Sequence, residues 1–512
     1  MLGRLPEFPQ PMMIDPNNYE ACVSLLEELV ADRARLAQLS QEQRKRLLIA
    51  AGRLSQPDRV EQRQFSRAHR KQVKRDRRAA DEAKLARTGI RQQRLLPTFI
   101  TPDSDARAEA HGQRESWQAP ELIEPRCCYI CKTQLERLHF FYDQLCERCG
   151  DFNFQKRTQT ADLRGRVAYI SGARVKIGYQ AAIMLLRAGA RVIVSTRFPR
   201  DAALRYSREP DFESWKDRLQ VYGLDLRHTP SVEAFANHLL ASESHLDFVV
   251  HNACQTVRRP SGFYAHLMEQ ELVEIERLPP AAASLLRDFE ALSRLHADSA
   301  IVPARAREQV GLFLAPVLSQ VPLTPEDHGL DPQLFPLGKL DADLQQVDMR
   351  KHNSWRLPLA EVSTVELLEV QLVNAIAPFV LNARLKPLLL RTPLRDKHIV
   401  NVSAMEGQFY RRFKTDKHPH TNMAKAALNM MTRTSAVDYV RDGIHMNSVD
   451  TGWVTDEDPI EIAQRKTAEH GFSPPLDIVD GAARIVDPIL DGINTGQHVW
   501  GQFLKDYRPC AW

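Results

Sequence analysis

The sequence lacks any uninterrupted apolar stretch of the roughly 18 to 20 residues that a membrane-spanning helix needs. Its first segment, MLGRLPEFPQPMMIDPNNYE, also lacks the apolar core of a secretory signal. We therefore expect no transmembrane segment and predict an intracellular, cytoplasmic protein. Glycine is scarce, with 22 in 512 residues, which excludes a collagen-like chain. Hydrophobic residues make up 43%, which is enough to bury the cores of two or three domains.

The net charge of +4 conceals a strongly uneven distribution along the chain. Residues 44–94 hold 17 Lys and Arg against 5 Asp and Glu, a local charge of +12, and the rest of the chain sums to −8. The core of this stretch, RAHRKQVKRDRRAADEAKLAR, has no proline or glycine and indicates a polar helix. Clustered cations suit an anionic partner, either a nucleic acid or a protein. A solvated helix without such a partner is the favoured alternative, because no groove-reading motif accompanies the charge.

The segments around this basic stretch predict a helical N-terminal region followed by a linker. Leu25, Leu26, Leu29 and Val30 recur at helical spacing, which indicates an amphipathic helix or helix pair. We assign residues 1–96 to a helical, basic region. Residues 97–125 mix prolines, acids and small residues, so we expect a linker there.

Four of the eight cysteines form two CxxC pairs separated by 14 residues, namely Cys128, Cys131, Cys146 and Cys149. Each pair makes a tight knuckle that aims two sulfurs at one point, which favours a structural, tetrahedral Zn²⁺ site in a module spanning residues 126–158. Disulfides and a rubredoxin-like iron site are the alternatives. Cys127 is adjacent and is expected to be spare.

After the module, the sequence GRVAYISGARVKIGYQAAIMLLRAGARVIVSTR predicts a strand, a glycine-containing turn, a helix and a second strand. A turn that opens a helix places backbone N–H groups against a pyrophosphate. We expect the turn to bind a dinucleotide through Ser171, Gly172, Arg174, Lys176, Ile177 and Gly178.

Residues 163–510 resemble the short-chain dehydrogenase/reductase family in seven motifs that occur in the family's order. The matching positions are the TGxxxGIG-like turn, with Lys176 at the usual middle glycine; Asp225 and Leu226 in GLDLRH; Asn252 and Ala253 in the NAG-like NAC; Asn374; Ser403 in HIVNVSAMEG; Lys425; and Thr451, Gly452 and Val454 in DTGWV, followed by GQFLKDY. The resemblance implies a Rossmann-type, doubly wound α/β fold over residues 163–512. It also implies a small-molecule substrate, and a homo-oligomer as one arrangement of the chains.

The end of the second predicted strand favours NADP over NAD as the cofactor. NAD-binding members usually carry an acid there that bonds the ribose 2′-OH, whereas this sequence has Ser195, Thr196 and Arg197. The Arg197 guanidinium can pair with a 2′-phosphate. Lys176 adds positive charge near the phosphates, but the missing glycine leaves weakened dinucleotide binding as the alternative.

The resemblance assigns Ser403 to orienting the substrate oxygen, Lys425 to the nicotinamide ribose and Asn374 to the proton relay. The family's proton-donating tyrosine stands four residues before the lysine, where this chain has Thr421, a far weaker acid. His420, His418 and Tyr410 are the other candidate donors. Each histidine is also interpretable as a loop residue without a chemical role.

More than a hundred residues separate Asn252 from Asn374, which indicates an insertion at about 258–355. An insertion that leaves the carboxyl edge of the sheet lies near the substrate crevice. We expect some helix within it, and we expect Arg258 and Arg259 to pair with surface acids rather than with an anionic substrate.

Together these patterns predict an NAD(P)-dependent oxidoreductase, with NADP favoured, that acts on a carbonyl, alcohol or enoyl substrate. The alternative is a catalytically inactive dinucleotide-binding adaptor or sensor, recruited through the zinc module and the basic residues 44–94.

Overall fold

The computed structural model describes residues 15–102, 112, 114–297, 309–328, 331, 333–410, 414–455, 457–462, 465–466 and 473–512. The chain divides into two compact units, Met1–Ala79 and Ala80–Trp512.

The N-terminal region is helical, as the sequence predicts. Its helices are α1 (Pro16–Ala31), α2 (Gln41–Ser55) and α3 (Arg59–Leu85). The Asp15 carboxylate accepts the Asn17 amide at the start of α1, and Ser40 with Gln43 forms a capping box on α2. Most side chains of residues 15–79 are exposed, basic residues included.

The second unit opens with the four-cysteine module and a short helix before it. Its elements are α4 (Gly89–Arg94), β1 (Glu121–Cys127), β2 (Gln134–Arg137) and α5 (Glu147–Arg157). β1 and β2 pair antiparallel, and β1 begins inside the segment predicted as a linker. Two arginines of the basic stretch make contacts within this second unit. Arg91 pairs with Asp143, and Arg94 donates a hydrogen bond to the Pro474 carbonyl. Of these two, Arg91 is neutralised by an acid, whereas Arg94 keeps its charge and is held by a hydrogen bond.

An eight-stranded sheet forms the centre of the second unit. Its strands are β3 (Val167–Ser171), β4 (Arg191–Thr196), β5 (Leu219–Gly223), β6 (Phe248–His251), β7 (Lys397–Ser403), β8 (Ile444–Asp450), β9 (Phe503–Lys505) and β10 (Arg508–Cys510). The spatial order is β10-β9-β8-β7-β6-β3-β4-β5, and every pair is parallel except β9 with β10. This is the doubly wound topology that the sequence predicts, with an added antiparallel edge strand.

Helices cover both faces of the sheet, so the residues of its central strands are buried whether they are apolar or polar. β3 (VAYIS) and β7 (KHIVNVS) are buried at every residue, which is typical of parallel sheets with two covered faces. The covering helices are α6 (Lys176–Arg187), α7 (Pro199–Tyr206), α8 (Thr229–Ser242), α14 (Thr364–Gln371), α15 (Ala377–Leu389), α16 (Pro419–Arg441) and α17 (Ile478–Thr495). α6 packs on α17, whereas α15 packs on α8 and α16.

The insertion between β6 and α14 contains the helix that we expect. The described helices are α9 (Ser261–Glu271), α10 (Pro280–Leu285), α11 (Arg287–Ala297), α12 (Val310–Phe313) and α13 (Ala315–Leu318). Arg258 pairs with Asp327 at 2.7 Å, and Arg259 pairs with Asp348. The pairing with acids is as expected, but Arg258 and Asp327 are buried rather than on the surface. The two ion pairs therefore connect the insertion to the segment that follows β6.

The helical stretch Thr364–Leu389 has the length and apolar composition of a membrane-spanning helix, which the search for uninterrupted apolar runs missed. It consists of α14, a π turn at Leu372–Ile376 and α15. α15 contacts α8, α16, β6 and β7. The apolar residues of this stretch therefore serve to pack a helix against the sheet. This packing is consistent with the predicted absence of a transmembrane segment.

A buried polar network joins the four-cysteine module to the start of α17. The Arg157 guanidinium lies 2.5 Å from Asp477 and 3.2 Å from Asp480. The Tyr142 hydroxyl donates to Asp480 at 2.5 Å, and burial is the main cause that raises the pKa of Tyr142. The module is therefore held on the dehydrogenase-like domain by paired buried charges.

Replacing Tyr142 by Phe removes a donor to a buried carboxylate, so we expect Tyr142→Phe to lower the free energy of unfolding by about 1–3 kcal/mol. Urea denaturation measures the change. Tyr410→Phe, at a tyrosine whose side chain is 93% exposed, is the control and should change stability by less than about 0.5 kcal/mol. Equal stability of the two variants would contradict the proposed importance of this bond.

Candidate functional site

A cleft of about 1130 Å³ lies along the carboxyl ends of the parallel strands. Ser403 ends β7, Asp450 ends β8 and Lys505 ends β9, and the three residues are neighbours in register. All three line the cleft. The carboxyl ends of the strands are where doubly wound sheets bind their ligands.

The turn between β3 and α6 has the tight geometry of a dinucleotide-binding turn. Gly172 has φ +70°, and a Cβ there would lie 2.6 Å from the Ala253 backbone. A Cβ on Gly178 would lie 2.2 Å from the Asn252 amide nitrogen. Asn252 in turn donates to the Gly172 carbonyl at 2.8 Å. The two glycines are therefore required by the close approach of the β6 end to the turn.

Lys176 stands in a backbone conformation that normally favours glycine, with φ +56° at the first residue of α6. Its side chain lines the cleft, and its Nζ lies 4.0 Å from an Asp343 oxygen on the insertion. Burial is the main cause that raises the pKa of Asp343, and Lys176 opposes that rise. The lysine thus places a positive charge at the amino end of α6, where phosphates bind.

Two arginines contribute to the same end of the cleft. Arg174 pairs with Asp201 at 2.6 Å, so its guanidinium is already engaged within the protein. Arg197 follows β4, donates to the Tyr264 hydroxyl at 2.7 Å and lies 4.7 Å from that ring's centroid. Burial is the largest single influence on the pKa of Tyr264 and raises it, but the charge and hydrogen bond of Arg197, together with the charges of Arg259 and Arg174, lower that pKa overall. Arg197 therefore presents cationic character at the strand end that has no acid.

Asp225 lies at the cleft, but Arg227 holds its carboxylate. The Arg227 Nη2 lies 2.6 Å from Asp225, and the backbone amide of Arg227 donates to it at 2.9 Å. Burial is the largest single influence on the pKa of Asp225 and raises it, but the charge and hydrogen bonds of Arg227 and the charge of Arg197 together lower that pKa overall. The carboxylate is consequently charged and paired at neutral pH.

Ser403, Thr421 and Lys425 share the middle of the cleft. The Ser403 hydroxyl donates to the Asn429 side-chain oxygen at 2.6 Å, and the Lys425 Nζ donates to the Val402 carbonyl at 2.8 Å. The Thr421 hydroxyl donates to the Thr256 carbonyl at 3.4 Å. Thr421 and Lys425 lie on adjacent turns of α16, so the helix presents both to the cleft.

Asn374 occupies the π turn between α14 and α15 and supports the end of β6. Its amide nitrogen donates to the Gln255 carbonyl at 2.9 Å, and its oxygen accepts the Gln255 amide at 2.8 Å. π turns are rare in proteins, and those that do occur are often found at functional sites. Asn374 therefore positions the backbone that lines the cleft.

The three alternative proton donors lie in different environments. His418 lines the cleft, stacks on Trp355 with ring centroids 4.0 Å apart, and lies with its Nδ1 2.8 Å from the Trp355 carbonyl. His420 is buried, and neither of its ring nitrogens has a hydrogen-bond partner among the described residues. Tyr410 is 93% exposed. His418 is thus the candidate among them that the fold brings to the cleft.

Most of the predicted site residues lie together. The cleft is lined by Gly172, Arg174, Lys176, Ile177, Arg197, Asp225, Leu226, Asn252, Ala253, Ser403, Thr421, Lys425, Thr451, Gly452 and Val454. Ser171, Gly178, Asn374 and His420 are not among its lining residues. Ser171 instead accepts the Ala253 amide through its hydroxyl at 3.2 Å.

Sequence reasoning missed the contribution of the four-cysteine module to the cleft. Tyr129 and Lys132, from the first CxxC knuckle, line it. The Tyr129 hydroxyl accepts the Trp453 amide at 3.1 Å, directly after the Gly452 turn. No local pattern indicates this contact, because Tyr129 and Trp453 are 324 positions apart.

Asp450 was also missed as an ionisable group of the cleft. It stands where the family usually has proline, and its carboxylate accepts the Met405 amide at 3.2 Å. Burial raises its pKa to about 6, although Lys505, 3.9 Å away, opposes the shift. The carboxyl therefore gains a proton as the pH falls below about 6.

The four predicted metal ligands converge. The sulfurs of Cys128, Cys131, Cys146 and Cys149 lie within 4.8 Å of one another, and those of Cys131 and Cys146 are 3.6 Å apart. Tetrahedral Zn–S bonds of about 2.3 Å place sulfurs about 3.8 Å apart. The arrangement of the four thiols therefore fits a zinc ion.

Burial lowers the pKa of His420 to about 4, with a smaller contribution from His418. The unfolded chain, with a histidine pKa near 6.5, takes up this proton first, so stability falls as the pH drops from about 6.5 to 4. We expect His420→Leu to reduce the acid-induced loss of stability, by up to about 3 kcal/mol at pH 4. Urea denaturation at pH 7 and pH 4 measures this difference, and an unchanged pH dependence would contradict a buried, neutral His420.

Comparison with known proteins places this geometry in a family. The family profile described as "Enoyl-(Acyl carrier protein) reductase" matches residues 337–472. An "Uncharacterized protein R665" of Acanthamoeba polyphaga mimivirus is 31% identical over 396 residues, which cover 75% of this chain and 75% of the viral protein.

Characterised relatives match shorter stretches. Bovine "Dehydrogenase/reductase SDR family member 13" is 38% identical over 104 residues, covering 20% of this chain and 27% of the relative. Human "Retinol dehydrogenase 11" is 30% identical over 147 residues, covering 27% of this chain and 46% of that enzyme. The chain thus aligns with less than half the length of these two relatives.

Solved structures resemble the chain more distantly. The "Pseudomonas aeruginosa RhlG/NADP active-site complex" is 17% identical with a TM-score of 0.41, covering 67% of this chain and 95% of that one. The strand order, the glycine turn with Asn252, and the Ser403 and Lys425 positions, taken with the matching profile and relatives, show that this chain belongs to the short-chain dehydrogenase/reductase family.

Proposed function

We propose that the protein is an NADP-dependent oxidoreductase that acts on a carbonyl, alcohol or enoyl substrate. The observation that carries this proposal is that the dinucleotide turn, Ser403 and Lys425 line one continuous cleft. The bound nicotinamide would supply or accept hydride. Of the relatives named above, only human "Retinol dehydrogenase 11" is named for retinol, and the substrate of this chain is proposed at the level of its chemical class.

NADP is the proposed cofactor because of the charge at the end of β4. The residues there are Ser195, Thr196 and Arg197, so the strand end itself has no acid of the kind that bonds the ribose 2′-OH in NAD-binding proteins. Arg197 lines the cleft beside Tyr264. A guanidinium in this position suits a phosphate through paired N–H···O bonds.

Each supporting residue has a proposed role. Ser403 would donate a hydrogen bond to the substrate oxygen, after exchanging its bond to Asn429. Lys425 would hold the nicotinamide ribose, after exchanging its bond to the Val402 carbonyl. Asn374 would keep the Gln255 backbone in position, because both of its amide atoms bond there.

His418 is the proposed proton donor in the reduction of a carbonyl. It precedes Lys425 by seven residues, and Thr421 stands between them, so these residues occupy successive turns at the start of α16. An imidazolium donates a proton near neutral pH, whereas a threonine hydroxyl does not. The stacking of Trp355 on the ring fixes its orientation.

The four-cysteine module is proposed to bind structural Zn²⁺. Four thiolates complete a tetrahedral shell, which leaves no position for a substrate. The ion would hold Tyr129 and Lys132 at the cleft.

One observation favours the alternative function, a catalytically inactive dinucleotide-binding adaptor. Ser403 and Lys425 are both buried and both bonded within the protein. An adaptor would use the exposed cations among residues 59–78 for an anionic protein or nucleic acid partner. Binding of NADPH without turnover would distinguish this function from the first.

We expect the protein to bind NADPH more tightly than NADH, and Arg197→Asp to weaken NADPH binding about 10- to 100-fold, because a charged hydrogen bond of about 1.5–3 kcal/mol is lost. Calorimetric titration with each cofactor measures both affinities. Arg208→Asp changes an exposed arginine of the same domain and is the matched control. Equal loss in both variants, or no binding of either cofactor, would contradict the assigned site.

We expect His418→Gln to reduce kcat by about 100- to 10,000-fold, because it removes the general acid, while NADPH binding stays within about twofold. The substrate is whichever member of a carbonyl and enoyl panel the wild type converts with NADPH. His352→Gln, at an exposed histidine of the insertion, is the control. Full turnover by His418→Gln would refute the role of His418, and the absence of wild-type turnover despite NADPH binding would favour the adaptor.

A further inference from the structure

Three histidines meet at the opposite end of the sheet from the cleft. His398 is the second residue of β7, and His445 is the second residue of β8. His498 lies between the end of α17 and the start of β9. Since Ser403 ends β7, five residues beyond His398, the cluster lies about 17 Å from Ser403 along the strand.

The imidazole nitrogens of the three residues converge on one point. One ring nitrogen of each lies within 4.8 Å of those of the other two. His398 Nε2 and His498 Nδ1 are 3.0 Å apart, so both cannot carry a proton at the same time. At least one of them therefore presents a lone pair to the other.

The third histidine is oriented by the backbone. His445 Nδ1 lies 3.1 Å from the Lys397 carbonyl, and a carbonyl only accepts, so the proton of His445 is on Nδ1. Its Nε2 is left with the lone pair. Metal-binding histidines commonly have their other nitrogen fixed in this way by a carbonyl or a carboxylate.

Burial and local space add two further observations. His398 is fully buried, and its Nδ1 has no hydrogen-bond partner among the described residues. A Cβ on Gly492 of α17 would lie 2.6 Å from His498 Nδ1 and 3.0 Å from His398 Nε2. The missing side chain of Gly492 therefore allows these two nitrogens to approach α17 closely. His498 is half-buried, which gives an ion a path from solvent.

We propose that His398, His445 and His498 form a second metal site, for a divalent cation of the zinc class. Three neutral imidazoles suit Zn²⁺, Co²⁺, Ni²⁺ or Cu²⁺, and the fourth position is left to water. The ion would tie the starts of β7 and β8 to the segment that leads into β9. Because the three histidines are distant from Ser403, the site would be a structural metal site. It would be separate from the four cysteines and would take no part in turnover.

The test is the zinc content of full-length protein that has been supplied with ZnSO₄ and then dialysed, measured by inductively coupled plasma mass spectrometry. We expect two zinc ions per chain in the wild type and one in His498→Gln, with zinc affinity at the histidine site reduced by more than about 100-fold. His352→Gln, at an exposed histidine, is the matched control and should retain two.

A second pair of variants separates the two metal sites. Gly492→Ala should also lower the content to one, because its methyl group enters the space between the nitrogens. Cys131→Ser should lower it to one and leave the histidine site filled. A zinc content that His498→Gln and Gly492→Ala leave equal to that of the wild type would overturn the proposal, and far-ultraviolet circular dichroism identifies any variant that has lost its fold.

Discussion

The burial of the Arg157 guanidinium is the constraint on which the arrangement of the second unit depends. A buried cation costs several kcal/mol unless it is paired, and Asp477 and Asp480 provide the pairing at 2.5 and 3.2 Å. These carboxylates also form the capping box that starts α17. Asp477 accepts the Asp480 amide, and Asp480 accepts the Asp477 amide. One pair of acids therefore starts a helix that covers the sheet and, at the same time, fixes the module that precedes the sheet in sequence.

This attachment determines the shape of the cleft. Because α5 is held at the start of α17, the first CxxC knuckle lies beside the turn that follows β8. Tyr129 accepts the Trp453 amide there, and the Lys505 Nζ lies 5.6 Å from the centroid of its ring. The module is consequently part of the cleft wall, which is more than the scaffolding role that a four-thiolate site indicates from sequence alone.

The sequence was sufficient for the features that depend on neighbours in the chain. The strand–turn–helix pattern located Gly172 and Gly178, and the motif order located Ser403 at the end of β7 and Lys425 within α16. It was insufficient where the partner is distant, as for Tyr129 with Trp453, Arg157 with Asp480, and the three histidines, since spacing carries no information on such contacts. The pairing of Arg91, at the end of the basic stretch, was unpredictable for the same reason, because its acid Asp143 is 52 positions away.

The internal hydrogen bonds of Ser403 and Lys425 are a smaller obstacle to catalysis than the presence of Thr421 in place of the family's tyrosine. A hydrogen bond within the protein contributes about 1 kcal/mol net, so exchanging the Asn429 and Val402 bonds for bonds to a substrate and a ribose costs little. No such exchange gives Thr421 the acidity of a phenol, because its hydroxyl stays protonated across the physiological range. Whether the cleft supports turnover therefore depends on an additional acid. His418, which lines the cleft and stacks on Trp355 one turn before Thr421, is the residue that we propose for that role.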